Sequence, residues 1–158
     1  MWKICFFFAR LRKDDILYDL GCGDGRVLIT AAKKYGVRCV GVDIDPDCII
    51  KSRENIQKAG LQNLVSIYQQ DVLKIDLTSA SVVTIYLTPY GNSELKSLLW
   101  EQLKIGARVV SHDYWIEDWK PWRVEVVKDS FEVKHLIYLW NIKTEHKEII
   151  EKEKLNEL

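Results

Sequence analysis

The segment GCGDG, residues 21–25, constrains this chain more than any other, because it places three glycines between an apolar run and a helical one. Ile16–Leu20 before it is typical of a short buried strand, and Arg26–Tyr35 after it repeats apolar residues at helical spacing. Glycine allows positive φ and lets a ligand approach the main chain closely. The segment therefore predicts a strand, a tight turn and a helix, with a ligand site at the turn.

Apolar runs and helical segments continue to alternate along the chain. A second helix is predicted to begin with Asp45 as its N-cap and Pro46 in its first turn, and a later one with Asn92 as its N-cap. Further strands are predicted within residues 38–42, 63–72, 81–87 and 107–115, and two more within 122–142.

This order of elements predicts an α/β fold. Strands joined through helices form a parallel sheet with right-handed crossovers, whereas two strands close together in sequence pair antiparallel. We therefore expect a seven-stranded, mainly parallel sheet with an antiparallel C-terminal hairpin. Residues 1–142 are predicted to form a single domain, and residues 143–158 a charged tail, helical or frayed, outside the core.

Composition narrows the function classes. The 158 residues carry 23 Lys plus Arg and 23 Asp plus Glu, a balance that argues against a nucleic-acid binder. The four cysteines lack CxxC spacing, so we expect reduced thiols, a cytoplasmic location and no metal site. Every apolar run is shorter than a membrane span, which predicts a soluble protein without a membrane partner.

Acidic residues around the glycines indicate which ligand the turn binds. Asp19 lies at the end of the first strand and Asp24 within the turn, where both would repel a phosphate. Asp43 ends the second strand, where a carboxylate can accept hydrogen bonds from both hydroxyls of a ribose. S-adenosyl-L-methionine meets these conditions, because it carries a sulfonium, an α-amino group and a free ribose diol but no phosphate.

At YDLGCGDGR, GVDID and QQDV (residues 18–26, 41–45 and 69–72), the sequence resembles class I S-adenosylmethionine-dependent methyltransferases. The resemblance implies a Rossmann-like methyltransferase sheet. It also implies that an acid before the glycines contacts the methionine part of the cofactor and that the glycines pass beneath this part. The acid after the second strand then binds the ribose, and the acid after the third strand binds the adenine amino group. Apolar residues beside those two acids cover the adenine ring. The implied cofactor-binding residues are Asp19, Gly21, Gly23, Gly25, Asp43, Ile44, Asp71 and Val72.

A narrower resemblance involves residues 82–87, 103–119 and 135–142, with the sequences VVTIYL, LKIGARVVSHDYWIEDW and HLIYLWNI. These segments resemble the small archaeal and bacterial protein-lysine methyltransferases, which are related to the mitochondrial lysine methyltransferases of eukaryotes. The likeness implies a protein substrate whose lysine ε-amine attacks the methyl group by in-line displacement. In members of that group, a Pro-containing segment and a helix before the first strand help to close over the cofactor. The residues before the first strand of this chain lack that motif. We therefore expect a short cofactor lid.

Candidate substrate-positioning residues follow the fourth and fifth strands. Methylases of exocyclic base amines carry Asn or Asp where LTPY, residues 87–90, has Thr88. We assign substrate positioning to Thr88, Tyr90 and His112; His112 can accept a proton or hold a substrate group, and Asp113 can orient it. Aromatic walls would suit a lysine stem. The aromatic residues near these strand ends are Tyr86, Tyr90, Tyr114, Trp115 and Trp119.

Three alternatives stay open. The chain is an RNA or small-molecule methyltransferase on the same fold, a truncated or inactive cofactor-binding protein, or a dinucleotide-dependent dehydrogenase. The close glycine spacing, Asp24 and the terminal hairpin argue against the dehydrogenase. The sequence does not define the protein substrate, the number of methyl groups transferred or the oligomeric state.

Overall fold

The computed structural model describes residues 2–156 of the chain. Within this range, helices and strands alternate as the glycine turn and the later apolar runs predict. The elements are α1 (Trp2–Phe8), β1 (Ile16–Leu20), α2 (Arg26–Tyr35), β2 (Arg38–Asp43), α3 (Pro46–Lys58), β3 (Val65–Gln69), a 3-10 turn (Val72–Lys74), β4 (Val82–Ile85), α4 (Pro89–Gln102), β5 (Arg108–His112), β6 (Arg123–Lys128), β7 (Lys134–Asn141) and α5 (Thr144–Asn156).

The seven strands form one sheet in the order β3-β2-β1-β4-β5-β7-β6. Strands β1 to β5 are parallel, and β7 pairs antiparallel with both β5 and β6. The predicted Rossmann-like sheet with an antiparallel C-terminal hairpin is therefore confirmed. The strand order reverses between β1 and β4, and in such sheets the carboxyl ends at this point form the ligand crevice.

Helices cover both faces of the sheet, which explains why the central strands are apolar on both sides. On one face, α1, α2 and α3 pack on strand residues such as Leu17 and Val110. On the other face, α4 and α5 pack on residues such as Val83 and Trp140. Alternate residues of the central strands thus belong to separate cores, and the sheet holds the strand ends in a fixed relation.

The starts of two helices test the predicted caps. Asp45 caps α3 by accepting a hydrogen bond from the Asp47 N–H at 2.8 Å, and Pro46 follows it, as predicted. The prediction that Asn92 caps the next helix is wrong. Helix α4 begins at Pro89 with Thr88 as its N-cap, because a Thr followed by Pro in the first turn starts a helix well. Asn92 is buried, and its Nδ2 donates to Ser111 Oγ at 3.0 Å and to the Tyr114 carbonyl at 3.2 Å.

The two terminal helices both contribute to the cores. In α1, Phe6 is buried whereas Phe7 is 71% exposed. In α5, Ile150 packs in the second core and the His146 ring stacks on Trp100 with centroids 4.7 Å apart. The charged composition of residues 143–158 did not predict this packing, because only these two positions of α5 are buried. Across the described residues, the helices are too short or too polar to cross a membrane.

Candidate active site

A cavity of about 580 Å³ lies at the carboxyl ends of β1, β4 and β5. It is lined by Asp19 at the end of β1, the glycine turn that follows, Tyr86 just after β4, and His112 at the end of β5. These three strands are neighbours in the sheet. The topology therefore brings together Asp19, Gly21, Gly23 and His112 from the predicted site.

The glycine turn is held against the end of β2. The N–H groups of Gly21 and Cys22 both donate to the Val42 carbonyl, at 2.8 and 2.9 Å. All three glycines have positive φ: 80° at Gly21, 53° at Gly23 and 79° at Gly25, which also caps α2. A Cβ on Gly21 would lie 2.6 Å from Leu87 Cδ2, whereas a Cβ on Gly23 would meet nothing within 4 Å. The main chain at Gly23 thus borders open space that a ligand can occupy.

Asp43 fixes the shape of this turn, a role that the sequence did not predict. One of its carboxylate oxygens accepts a hydrogen bond from the Gly23 N–H at 2.8 Å, and the other accepts one from the Asp45 N–H at 3.0 Å. The only feature of the sequence that could have indicated this contact is the spacing of twenty residues between Gly23 and Asp43. Each carboxylate oxygen has a second lone pair, so Asp43 can still accept hydrogen bonds from a ligand diol.

Asp19 is a buried acid with one fixed partner. Its Oδ1 accepts a hydrogen bond from the Thr84 hydroxyl at 2.7 Å, and the residue is 3% exposed. The pKa of Asp19 is raised from 3.8 to about 7, mainly by burial; the hydrogen bond from Thr84 opposes this rise, and the charges of Asp43 and Asp24 add to it. A cation bound beside Asp19 would favour its ionised form. The acid is therefore poised to bind a positively charged group.

The acid within the turn, Asp24, has an ion-pair partner that the sequence did not predict. Asp24 forms a bidentate ion pair with Arg26, at 2.7 Å between Oδ2 and the nearer guanidinium nitrogen, and the hydrogen bond from Arg26 lowers the pKa of Asp24. Its charge is balanced locally, so the expectation that Asp24 adds negative charge toward a ligand is weakened. Asp19 and Asp24 both line the cavity, and Asp43 lies behind the turn.

The predicted adenine-binding residues follow β2 and β3, which are adjacent in the sheet. Ile44 is 69% exposed directly after Asp43. Asp71 caps the 3-10 turn by accepting a hydrogen bond from the Leu73 N–H at 2.9 Å, and Val72 packs partly against the second core. The side chain of Ile44 is thus available to cover a ring, and the role of Asp71 toward adenine stays a prediction.

Thr88 and Tyr90 belong to the first turn of α4. The Thr88 hydroxyl accepts the Gly91 N–H at 3.1 Å as the helix cap. Tyr90 is 74% exposed, and its hydroxyl donates to Glu94 at 2.8 Å. Each hydroxyl therefore has a structural partner, and substrate positioning by these two residues remains a prediction.

Two aromatic rings contact the Tyr86 ring at the edge of the cavity. The Tyr86 ring lies 4.8 Å from the His112 ring and 6.0 Å from Tyr114, nearly parallel to the latter. His112 is buried, whereas Tyr86 is half exposed. Of the aromatic residues near these strand ends, Trp119 is buried in the second core, where its carbonyl accepts the Trp140 indole N–H at 2.8 Å.

Behind His112 lies a cluster of polar groups that the sequence did not reveal. Asp113 contacts both His112 and His135, and the nearest ligand atoms of the three side chains lie within 4.8 Å of one another. His135 belongs to β7 and reaches Asp113 only through the antiparallel pairing of β7 with β5. Histidine nitrogens with a carboxylate oxygen are a donor set that zinc accepts. The expected absence of a metal site stays a prediction.

A larger cavity, about 690 Å³, lies near the opposite end of the sheet. It includes Asn141, which pairs with Arg108 at the start of β5, and it is bordered by Trp100, Trp122 and residues of α5. The glycine turn and His112 are not part of it. The cavity beside Asp19 is the smaller of the two, but it contains the buried acid, the glycine turn and His112.

The residues of the smaller cavity fit the predicted cofactor. The open main chain at Gly23 admits a ligand against the turn, the buried acid Asp19 suits a cation, and Asp43 retains lone pairs for a diol. Together with the strand order, these features define an S-adenosyl-L-methionine-dependent methyltransferase with a Rossmann-like fold. The chain belongs to the family described as the ANTKMT methyltransferase domain, which matches residues 19–123.

Two relatives show how far the similarity extends. The chain is 44% identical over 140 residues to the protein-lysine N-methyltransferase of Saccharolobus islandicus (strain REY15A), a match that covers 88% of this chain and 86% of that protein. It is 32% identical over 106 residues to the adenine nucleotide translocase lysine N-methyltransferase of Mus musculus. That match covers 66% of this chain but 46% of the mouse protein, so the chain spans less than half of that relative.

One solved structure is similar over almost its whole length. The crystal structure of an RNA methyltransferase from Salinibacter ruber in complex with S-adenosyl-L-homocysteine has a TM-score of 0.84 and 40% sequence identity, and the match covers 90% of each chain. S-adenosyl-L-homocysteine is what remains of S-adenosyl-L-methionine after its methyl group has left. The predicted enzyme class and the predicted cofactor are therefore both confirmed.

Proposed function

We propose that this protein transfers methyl groups from S-adenosyl-L-methionine to the ε-amines of lysines in protein substrates. One structural observation carries the proposal: Tyr86 and His112 line the cofactor cavity with their rings in contact, and Tyr114 stacks on the Tyr86 ring. Such a wall packs the four-carbon stem of a lysine, and its partly apolar surroundings depress the pKa of the amine. The similarity to the Saccharolobus lysine methyltransferase over most of both chains supports the same substrate class.

We assign cofactor binding to the strand ends. Asp19 binds the positively charged methionine part, the turn with Gly21, Gly23 and Gly25 passes beneath it, and Asp43 accepts hydrogen bonds from the ribose hydroxyls. The burial of Asp19, the open main chain at Gly23 and the position of Asp43 behind the turn support this assignment. Asp71 binds the adenine amino group, with Val72 and the exposed Ile44 against the ring.

The chemistry requires little more than alignment and a neutral amine. The cofactor supplies an electrophilic methyl group on a sulfonium. The lysine nitrogen lone pair forms the new N–C bond, the electron pair of the broken C–S bond stays on sulfur, and the methylated ammonium then releases a proton. The residues of this chain position the amine and exclude water, which contribute most of the rate in such displacements.

We assign to His112, which lines the cavity, the role of accepting that proton or holding the substrate amine. Burial lowers its pKa, and although Asp113 raises it, the net shift is downward, so the imidazole is neutral at neutral pH. A neutral ring neither repels the arriving amine nor competes with the sulfonium for Asp19. We assign substrate positioning to Thr88 and Tyr90 as well, which lie at the start of α4 directly after the strand end that carries Tyr86.

Methylation of RNA is the second candidate. The similarity to the Salinibacter RNA methyltransferase favours it, at 40% identity. Against it stand a formal net charge of zero, which gives no general attraction to phosphates, and Thr88 where methylases of base amines carry Asn or Asp. Lysine methylation is therefore the preferred function.

We further propose that residues 1–142 form the catalytic domain and that the protein acts in the cytoplasm. All seven strands lie within that range, and Phe6 of α1 is part of the first core. The described cysteines are free thiols, three of them buried, as expected in a reducing compartment.

A labelling experiment tests the substrate class. The protein is incubated with methyl-labelled S-adenosyl-L-methionine and a cell lysate, half of which has been treated with nuclease and half with protease. Label that survives nuclease, disappears with protease and requires Asp43 supports the proposal. Label confined to RNA would replace it with the second candidate. An Asp43→Ala variant assayed in parallel excludes labelling by lysate enzymes.

A further inference from the structure

A third cavity, of about 470 Å³, lies at the end of the sheet opposite to the cofactor cavity. It is lined by Arg108 at the start of β5 and by Asn141 at the end of β7, two residues that pair in the antiparallel register. His112 of the cofactor cavity lies at the other end of β5. Among the described residues, none lines both cavities, so the third cavity is a separate place on the molecule.

The lining of this cavity has an excess of positive charge. Arg10, Arg12 and Arg108 line it, and no described Asp or Glu does. Because the whole chain has a formal net charge of zero, the excess is local and does not follow from composition. A planar guanidinium binds phosphate or carboxylate oxygens through two parallel hydrogen bonds. The cavity therefore favours an anionic ligand.

Arg108 builds the wall of the cavity and has its charge balanced there. It forms an ion pair with the buried carboxylate of Asp15, and its guanidinium also donates to the carbonyls of Ala9 and Arg10, each at 2.8 Å. The other carboxylate oxygen of Asp15 accepts the Arg12 N–H at 2.7 Å. These contacts fix the loop between α1 and β1 against β5, and this loop presents two further arginines.

The guanidinium groups of Arg10 and Arg12 are not balanced. Both side chains are exposed, and neither forms an ion pair or a hydrogen bond with another residue that the structure describes. Lys13 and Asp14, which follow in the same loop, do not line the cavity. Two uncompensated positive charges thus border one space. Their sum matches the charge of a phosphate monoester, which is about −2 at neutral pH.

The same cavity also has an aromatic and an amide surface. The Trp122 ring is 48% exposed, and the Phe8 ring packs partly against the first core. The Arg123 guanidinium, paired with Glu125, lies 4.7 Å from the Phe8 ring centroid and 6.0 Å from that of Trp122, which holds both rings in place. A half-exposed indole is a surface on which a nucleobase can stack. The Asn141 amide can both donate and accept a hydrogen bond at the polar edge of such a base.

We propose that this cavity binds a nucleoside phosphate, with the phosphate held by Arg10 and Arg12 and the base stacked on Trp122 beside Asn141. The volume of about 470 Å³ is within the range of small-molecule sites. A nucleoside phosphate uses the charged, the aromatic and the amide surfaces together, whereas an acidic peptide needs only the arginines. The ligand is a free nucleotide or the phosphorylated end of an RNA, which share this chemistry. The site does not depend on lysine being the methylated residue.

Calorimetric titration of the full chain with adenosine monophosphate tests the site. Saturating S-adenosyl-L-homocysteine is present throughout, so that the adenosine part of the probe cannot enter the cofactor cavity. A second arm uses a short single-stranded RNA with a phosphate at its first nucleotide. We expect binding that weakens as the salt concentration rises, because two exposed guanidinium groups contribute to it. Inorganic phosphate and a hexa-aspartate peptide should both bind more weakly than the nucleotide probe.

Variants of the exposed lining residues assign the contacts without disturbing the core. The double variant Arg10→Gln, Arg12→Gln should lower the affinity for the nucleotide by at least about tenfold through loss of charge-assisted hydrogen bonds. The matched control is Lys13→Gln, which removes a charge from the same loop outside the cavity and should leave the affinity unchanged. Trp122→Leu should weaken the nucleotide but not inorganic phosphate.

The two arms identify the source of the phosphate. Binding of adenosine monophosphate that is lost in the double variant indicates a free nucleotide, and binding of the RNA alone with the same loss indicates an RNA end. The proposal is overturned if neither probe binds or if the double variant binds like the native protein. It is equally overturned if inorganic phosphate or hexa-aspartate binds as tightly as the nucleotide probe, because the base would then contribute nothing.

Discussion

The carboxylate of Asp43 accepts a hydrogen bond from the main-chain N–H of Gly23 at 2.8 Å. This contact ties the end of β2 to the middle of the glycine turn that follows β1. A residue predicted to bind only the ribose therefore also shapes the turn over which we propose that the cofactor binds. Substitutions of Asp43 consequently act on the ligand contact and on the turn together.

Asp43→Ala should abolish measurable cofactor binding. Loss of charge-assisted hydrogen bonds to a ligand costs of order 2 to 4 kcal/mol, and the Gly23 N–H loses its partner as well. Calorimetric titration with S-adenosyl-L-methionine measures the effect. The matched control is Asp45→Ala, which removes the α3 cap and should lower the free energy of unfolding by about 1 kcal/mol with little change in affinity. Equal affinity in Asp43→Ala would show that the ribose binds elsewhere.

Cofactor affinity should increase with pH through neutrality. The pKa of Asp19 is raised from 3.8 to about 7, so below that pH the acid is protonated and attracts the cationic methionine part less. Binding favours the ionised form and releases a proton, which tightens affinity by up to about tenfold per pH unit below the pKa. Titrations across this range in Asp19→Asn should lose the dependence. A native protein whose affinity is constant with pH would contradict the assignment of Asp19.

The raised pKa of Asp19 also makes the stability of the cofactor-free protein depend on pH, in the direction opposite to that of cofactor affinity. The folded state holds the proton of Asp19 more tightly than the unfolded state does. The contribution of Asp19 to the free energy of unfolding is therefore greatest below pH 3.8. It decreases as pH rises toward about 7 and is then constant. Denaturant unfolding of the native protein and Asp19→Asn should diverge over this interval, with the variant gaining relative stability.

Two glycine substitutions should separate folding from binding. In Gly21→Ala the new Cβ would lie 2.6 Å from Leu87 Cδ2 at a φ of 80°, so both a clash and backbone strain lower the free energy of unfolding, by about 1 to 3 kcal/mol. In Gly23→Ala the Cβ would enter open space. We expect the second variant to be the more stable of the two but to lose cofactor affinity. Equal losses of affinity and stability in both would contradict a ligand over Gly23.

Thr88 provides a test of the start of α4. Thr88→Ala removes the hydroxyl that accepts the Gly91 N–H and should destabilise the protein by about 1 kcal/mol, whereas Thr88→Ser retains the cap. Chemical denaturation compares the two. Methyl transfer by the stable Ser variant then reports on substrate positioning alone: reduced turnover would support a contact with the Thr88 methyl group, and native turnover would restrict Thr88 to capping.

The sequence predicted the parts of the molecule that depend on local patterns. Glycine spacing and strand-end acids located the turn, and the apolar periods predicted the strand and helix flanking it, with the bounds Ile16–Leu20 and Arg26–Tyr35 that the structure has. The cap of α4 was missed because a polar residue three positions into a helix resembles an N-cap, although Asn92 binds Ser111 in the core.

Contacts between distant segments were not visible in the sequence. The pairing of Asp113 with His135 depends on the antiparallel register of β7 with β5, and the burial of Trp119 depends on packing against Trp140. The ion pair of Asp24 with the guanidinium of Arg26 two residues later was also not predicted. Local spacing specifies which residues are available, and the tertiary structure decides which of them reach the cavity.

Lysine methylation is most directly tested by mass spectrometry of a protein fraction methylated by this enzyme. After incubation of nuclease-treated lysate proteins with S-adenosyl-L-methionine, peptides are sequenced to locate each added methyl group. We predict methyl groups on lysine ε-nitrogens that are missing when Asp43→Ala replaces the native enzyme. Methylation found on other residue types, or only on RNA restored to the reaction, would contradict the proposed function.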